Sequence, residues 1–122
     1  MTVDVQKDYF VVVIRLWAAD ARSRLFLATT GDPKHEEQQG YPGPKTWQDV
    51  EALAEDHGLS PRRVFVDCGY ERDTNDVYRA CARNGWLAFM GSKTKGWRWR
   101  IRDPKNRKKI LTVRRPYAKS AR

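Results

Sequence analysis

The chain has 122 residues, of which 40% are hydrophobic and 11% aromatic, so it can bury the core of one domain and is not an intrinsically disordered chain. No apolar stretch approaches the roughly 20 residues that cross a bilayer, and Asp4, Lys7 and Asp8 interrupt any signal-peptide pattern, so we expect no membrane contact and a cytoplasmic location. The formal net charge of +9 favours an acidic partner.

The charge is unevenly distributed along the chain. Residues 93–122 carry 13 Lys or Arg and one acid, a net charge of +12, whereas residues 1–92 carry a net charge of −3. We therefore predict a single domain spanning residues 1–122, with a core over residues 1–92 and a basic segment over residues 93–122.

The first thirty residues predict three consecutive strands. Residues 1–6 form a short strand, Lys7 and Asp8 a tight turn, and Tyr9–Trp17 a long β-branched strand. After a polar turn, residues 25–30 complete the set. Short connections between successive strands predict an antiparallel meander.

A loop and a helix follow the three strands. Residues 31–45 are rich in glycine and proline and predict a loop, which we expect to be mobile. Thr46 with Asp49 three residues later is a variant of the capping box, and Gly58 supplies the helix stop. His57 falls at the helix end, where a histidine facing the helix dipole is more common than a metal ligand.

The rest of the chain predicts strand, helix, strand and a basic hairpin. The apolar run that ends at Asp67 predicts a central, parallel strand. The predicted elements are a strand over 63–67, a helix over 74–84, a strand over 86–90, a loop over 91–96, and a hairpin of residues 97–101 with 109–113.

Two aspartates stand in or at the end of short β-branched strands. Asp4 lies in Thr2–Gln6, and Asp67 ends Val64–Asp67. A carboxylate within an apolar strand costs several kcal/mol unless something compensates it, roughly the penalty of an unpaired buried polar group. If a helix connects the two strands in parallel, one cation can bind between both side chains, since adjacent strands lie about 4.8 Å apart.

The order of elements resembles the ribonuclease-H-like fold, an α/β fold with a mixed sheet. Three antiparallel strands are followed by helix, strand, helix and strand, and the first and fourth strands of such a sheet lie side by side and parallel. A right-handed crossover through the helix that begins at Thr46 would bring Asp4 and Asp67 to adjacent positions.

The local sequences resemble the nuclease domain of lambda-type phage terminase large subunits. Val3–Asp8 is similar to the first acidic motif of that family, and Gly31-Asp32-Pro33 followed by Trp47 is similar to the start of its first helix. Val66-Asp67-Cys68-Gly69-Tyr70, with Thr74 and Val77-Tyr78 after it, resembles the second acidic motif. The likeness covers about residues 2–91.

The resemblance implies a metal-dependent endonuclease that cuts double-stranded DNA during packaging, in the cytoplasm of a bacterial host cell. Asp4 and Asp67 would be catalytic and would hold Mg²⁺ or Mn²⁺, because hard oxygen ligands favour these ions. Asp76, or Asp73, would be a third ligand, although acids at a helix start are also explained by the helix dipole. The implied partners are a terminase ATPase module, the small terminase subunit and the portal. This chain has no phosphate-binding loop, so it would be an isolated nuclease segment, incomplete or weakly active.

Four cations of the basic segment are candidate DNA ligands. Lys93, Lys95, Arg98 and Arg100 interleave with tryptophans, and Trp-Arg alternation places cations on one strand face and rings on the other. Such a surface suits a phosphate backbone. A solvated turn is the alternative for residues 105–109, and a loose tail for the C-terminus.

Three alternatives stay open at this stage. The chain could be another ribonuclease-H-like enzyme, such as a junction resolvase or a transposase core. It could be a non-catalytic binding module in which the basic segment contacts DNA and the acids are vestigial. A zinc site would use Cys68, Cys81, His35 and His57, but their spacing matches no common ligand pattern, and buried reduced cysteines are the better interpretation.

Overall fold

Seven strands form one mixed sheet in a computed structural model that describes residues 1–67, 74–92, 99–102 and 110–114. The strands are β1 Thr2–Val5, β2 Phe10–Trp17, β3 Ser23–Thr30, β4 Phe65–Asp67, β5 Leu87–Ser92, β6 Trp99–Arg102 and β7 Ile110–Arg114. The helices are α1 Pro33–Gln39, α2 Trp47–Asp56 and α3 Thr74–Asn84, and a single 3₁₀ turn spans Pro61–Arg63. The order across the sheet is β3-β2-β1-β4-β5-β7-β6.

The antiparallel half of the sheet is the predicted meander. β1 pairs with β2 so that Val3 lies opposite Val12, and β2 pairs with β3 from Val11 to Trp17. The turn at Lys7 and Asp8 is closed by the Gln6 N–H, which donates to the Tyr9 carbonyl at 3.0 Å. Alternating apolar residues determine this register, because a slip of one residue would expose the buried side of each strand.

The other half contains the parallel strands. β4 pairs in parallel with β1 on one side and with β5 on the other. α2 lies in the connection from β3 to β4, and α3 in the connection from β4 to β5. The predicted placement of the first and fourth strands side by side and parallel is therefore confirmed, and the chain has an α/β architecture.

The core lies between one face of the sheet and the two longer helices. Its buried members come from the strands, from α2 and α3, and from the residues just before β4 and β5: Val3, Phe10, Val12, Val50, Ala54, Val64, Val66, Val77, Cys81, Trp86 and Ala88. The opposite face carries exposed side chains, among them Thr2, Asp4, Arg15 and Ala28. We call this second surface the open face.

The prediction of a loop over residues 31–45 is wrong for α1. Asp32 accepts a hydrogen bond from the Lys34 N–H, Pro33 takes the first helical position, and Gly40 ends the helix in the left-handed region with φ of 87°. These are ordinary start and stop signals, but they enclose only seven residues. Pro33 and Gly40, two of the residues that suggested a loop, mark the ends of a short helix.

Several predicted strand boundaries shift by one or two residues. Arg63 belongs to the 3₁₀ turn rather than to β4, and β5 extends through Gly91 and Ser92, which were predicted to begin a loop. The C-terminal hairpin is confirmed, since β6 pairs antiparallel with β7. β7 also pairs in parallel with β5, so the described part of the basic segment is continuous with the core sheet. The sequence did not predict that pairing.

Candidate active site

Asp4 and Asp67 lie at neighbouring positions on adjacent parallel strands. Thr2 pairs with Phe65 and Val3 with Val66, and one residue further along each strand brings the two aspartates level. Val3 and Val66 are 1% and 0% exposed on the helix-covered face. Because side chains alternate along a strand, both aspartates are on the open face.

The exposure of the aspartates differs from what the apolar strands around them predicted. Asp4 is exposed and Asp67 is half-buried. Asp4 accepts a hydrogen bond from Gln6 Nε2 at 2.9 Å. A solvent-facing carboxylate does not incur the burial cost that was expected for a charge inside an apolar strand. The Asp4 carboxylate is instead accessible to a solvated ligand.

The connections that leave the carboxyl ends of β1 and β4 run in opposite directions across the sheet, so these ends form a topological switch point. β1 leads to β2 on one side, and β4 leads through α3 to β5 on the other. In open α/β sheets this switch point leaves a crevice beyond the strand ends, and ligands bind there because no connection crosses it. Asp4 and Asp67 lie at this end of β1 and β4.

A cavity of about 390 Å³ lies at the same end of the sheet as Asp4 and Asp67, although neither aspartate lines it. Its lining comes from the β1–β2 turn and from the starts of α2 and α3, and comprises Val5, Gln6, Lys7, Asp8, Tyr9, Phe10, Lys45, Thr46, Trp47, Asp76 and Val77. The Phe10 and Trp47 rings pack with centroids 4.6 Å apart and form its apolar wall. The cavity combines this wall with charges of both signs.

Asp76 lines this cavity, close to the helix-covered side of the sheet. It lies in the first turn of α3 and forms an ion pair with Arg79, with Oδ1 and Nη1 3.3 Å apart. Within the part of the chain that the structure describes, no three His, Cys, Asp or Glu side chains are placed to hold one metal ion. Asp76 as a third ligand stays a prediction, and Asp73 lies outside the described residues.

A network of polar side chains that the sequence did not reveal borders the site. Asp32 accepts hydrogen bonds from the Lys34 N–H at 3.0 Å, from His35 Nδ1 at 2.9 Å and from the Tyr9 phenol. The hydrogen bond from the Lys34 backbone, followed by that from His35, lowers the pKa of Asp32 below its ordinary value of 3.8.

Tyr9 connects this network to Asp4. Desolvation raises the pKa of the Tyr9 phenol, and the charges of Asp32 and of Asp4 raise it further. Tyr9 is thus within electrostatic reach of both carboxylates, and its proton is held on the phenol oxygen. The spacing Asp32-Pro33-x-His35 at a helix start could have indicated the Asp–His pair, but no sequence signal indicated Tyr9.

A second local network fixes the loop between α1 and α2. Glu36 accepts a hydrogen bond from Lys45 Nζ at 2.5 Å and from the Gly43 N–H at 2.6 Å. These contacts, that of Lys45 first, lower the pKa of Glu36. Lys45 also lines the cavity, so the ion pair places a cation at the edge of the candidate site.

The predicted DNA ligands fall largely outside the structure. Lys93, Lys95 and Arg98 lie outside the described residues. Arg100 lies in β6, opposite Thr112 of β7, at the edge of the sheet farthest from β3. The DNA-binding role of these four cations stays a prediction.

The residues of the alternative zinc site are engaged elsewhere. Cys81 is buried in the core, His57 Nδ1 lies 2.7 Å from the Leu53 carbonyl at the end of α2, and His35 contacts Asp32. Cys68 lies outside the described residues. His57 thus has the helix-end position that was expected to be its commoner role.

No protein-family model, no curated protein and no solved structure matches this chain. Across residues 1–67, 74–92, 99–102 and 110–114, no helix is long and apolar enough to cross a membrane.

Proposed function

We propose that this chain is a metal-dependent endonuclease of the ribonuclease-H-like class that hydrolyses phosphodiester bonds in double-stranded DNA. The observation that carries the proposal is the level placement of Asp4 and Asp67 on adjacent parallel strands at the switch point of the sheet. Two carboxylates at that position, one exposed and one half-buried, are a suitable pair for a hard divalent cation.

The donor set agrees with Mg²⁺ or Mn²⁺. Mg²⁺ keeps several water ligands and commonly uses one or two carboxylates together with substrate phosphates, so a complete protein cage is not required. Asp4 is exposed, which leaves room for water and phosphate oxygens. When bound, the ions would supply an activated water and stabilise the leaving oxygen.

The chain's own residues would orient the substrate around this pair. Gln6 donates to Asp4 and fixes the orientation of its carboxylate. Lys7 and Lys45, at the neighbouring cavity, place cations where a phosphate backbone would pass. Asp4 and Asp67 hold the cations, and we assign Asp76 to a third, weaker ligand position.

The packaging role is the more specific part of the proposal. It rests on the resemblance of the two acidic motifs, around Asp4 and Asp67, to the nuclease domain of lambda-type terminase large subunits. In that role the chain would act with an ATPase module, the small terminase subunit and the portal, in the cytoplasm of a bacterial host cell.

Nicking of supercoiled plasmid tests the proposed activity. Wild-type protein with Mn²⁺ should nick the plasmid, and Asp67→Asn should lower the rate by more than the roughly 10–100-fold that loss of an outer-shell partner costs. Asp20→Asn is the matched control, because Asp20 is an exposed aspartate paired with Arg22 in the β2–β3 turn. Nicking that survives both Asp4→Asn and Asp67→Asn would show that these acids are not catalytic.

A non-catalytic DNA-binding module is the second candidate. It is favoured by the net charge of +12 over residues 93–122 and by the lack of a three-ligand metal cluster among the described residues. Under this alternative, DNA binding is retained in Asp4→Asn and Asp67→Asn, and no metal-dependent nicking occurs in the wild type.

A further inference from the structure

The β2–β3 hairpin extends beyond the rest of the sheet and exposes large apolar side chains. Thr2, the first residue of β1, pairs with Val13, so the last four residues of β2 have no partner in β1. Four of the five exposed large hydrophobic residues in the described part of the chain lie in this hairpin: Leu16 at 53%, Trp17 at 67%, Leu25 at 52% and Phe26 at 56%. Large apolar side chains that are exposed next to one another on one face are a common feature of interaction surfaces.

The pairing divides these side chains between the two faces. Side chains alternate between the two faces along β2. Val11, the partner of Asp4, lies on the open face, and Arg15 and Trp17 therefore lie there too, four and six residues later. Arg15 Nε contacts Ser23 Oγ at 3.0 Å, in agreement with a shared face for these two residues.

The residues of opposite parity lie on the helix side. Leu16 pairs with Arg24, and both side chains lie on the face opposite to that of Arg15 and Trp17. A bulge after Ile14 makes Phe26 the extra residue of β3, and its ring contacts His57 at the end of α2 with centroids 5.9 Å apart. We call Arg15, Trp17 and Leu25 the hairpin face, because Leu25 is the cross-strand partner of Arg15.

The charge around the hairpin face is positive. Arg15 is the cation of the hairpin face, Arg22 pairs with Asp20 in the turn at 2.6 Å, and Arg24 lies on the helix side. Exposed Arg62 and Arg63 lie just before β4, at the same end of the sheet. The acids near this end, Glu55 and Asp56, belong to α2 in the helix layer.

We propose that the hairpin face binds the phosphate backbone of duplex DNA and holds the duplex across the open face toward Asp4 and Asp67. Trp17 lies six residues after Val11 along β2, a span of roughly 20 Å or about six base pairs. The Arg15 guanidinium contacts phosphate, while the Trp17 ring packs on the sugars and its Nε1–H donates to a phosphate oxygen. The proposal rests on the proposed nuclease function and assigns part of its substrate-binding surface.

The charge and the exposed indole together favour DNA over a second copy of the chain. Two hairpin faces brought together would place Arg15 near Arg15 and gain no opposite charge. A duplex supplies closely spaced negative charges, and cations that bind it release condensed counterions.

Duplex affinity without divalent metal, measured over a series of salt concentrations, tests the proposal separately from catalysis. The double variant Arg15→Gln with Trp17→Ala should bind a labelled duplex at least tenfold more weakly, and its slope of log K against log salt should fall by about 0.9. The matched control is Leu16→Ala with Arg24→Gln, which removes the same kinds of groups from the other face and should leave duplex affinity within twofold of wild type. Circular dichroism and thermal melting check that both variants are folded.

The results distinguish the surface from the enzyme. If the wild type and the Arg15 and Trp17 variant have equal duplex affinity and equal salt slope, the hairpin face does not bind DNA, whatever the plasmid assay shows. Loss of self-association in that variant, with unchanged duplex affinity, would also overturn it in favour of a dimer contact. Absence of nicking in the wild type, with duplex affinity that still depends on Arg15 and Trp17, would support the surface and reject the nuclease.

Discussion

Val3 of β1 and Val66 of β4 are partners in a parallel strand pair, and both are buried beneath α2 and α3. Their burial sets the register of the two strands, because a slip of one residue would move either valine to the open face. The same register brings Asp4 level with Asp67 one position later. The core pair thereby positions the candidate metal ligands.

Divalent metal should stabilise the folded protein. A ligand that binds only the folded state at ten times its Kd contributes about 1.4 kcal/mol, which raises the Tm of a domain of this size by about 5 °C. We expect this shift with Mn²⁺ in thermal melts of the wild type and not of Asp67→Asn. Asp20→Asn, which alters a distant exposed pair, should keep the full shift. A Tm unaffected by Mn²⁺ at millimolar concentration would contradict the metal site.

The capping box of α2 should contribute measurably to stability. Thr46 accepts a hydrogen bond from the Asp49 N–H at 3.2 Å, and Asp49 Oδ2 accepts one from the Thr46 N–H at 3.0 Å. Thr46→Ala should lower the free energy of unfolding by about 1 kcal/mol in urea titration. Thr46→Ser keeps the hydroxyl and should stay close to wild type. Equal losses in both variants would show that the lost methyl, rather than the cap, accounts for the effect.

The Asp32 network should make stability depend on pH in the acid range. The pKa of Asp32 is lowered by folding, so its contribution is fully present above the ordinary value of 3.8 and is lost as the pH falls through the lower, folded value. We expect the Tm difference between wild type and Asp32→Asn to be greatest near neutral pH and to shrink below pH 3.8. Asparagine still caps α1, so the comparison isolates the charge. Melting curves that remain parallel from neutral pH to pH 2.5 would contradict this role.

The four predicted cations of the basic segment should govern the salt dependence of DNA binding. Replacing Lys93, Lys95, Arg98 and Arg100 with Gln removes up to four phosphate contacts, each reducing the slope of log K against log salt by about 0.9 on duplex DNA. Fluorescence anisotropy over a salt series measures the slope. Asp67→Asn should bind as tightly as wild type or slightly more tightly, because it loses a negative charge near the backbone. An unchanged salt slope in the fourfold variant would show that these four cations do not contact DNA and belong to a solvated surface.

Most of the elements could be predicted because their signals are local. β2 shows a long β-branched run, α2 carries its capping box, and the apolar strand before Asp67 indicated a parallel neighbour. α1 was not predicted, although Asp32 and Gly40 mark its two ends, because seven residues are too few to show a helical period. The pairing of β7 with β5 was missed because contacts between strands distant in sequence leave no local pattern.

The sequence by itself determined the candidate acids, the parallel connection between β1 and β4, and the positive charge of the C-terminal segment. Only the tertiary structure decided that Asp4 and Asp67 lie on the open face, that the Tyr9 phenol donates to Asp32, and that Arg15 and Trp17 share the open face. The physical reason is that composition and hydrophobic periodicity carry information only about residues that are close together in the sequence. Face and exposure depend on register, on the bulge after Ile14, and on which side of the sheet α2 and α3 cover.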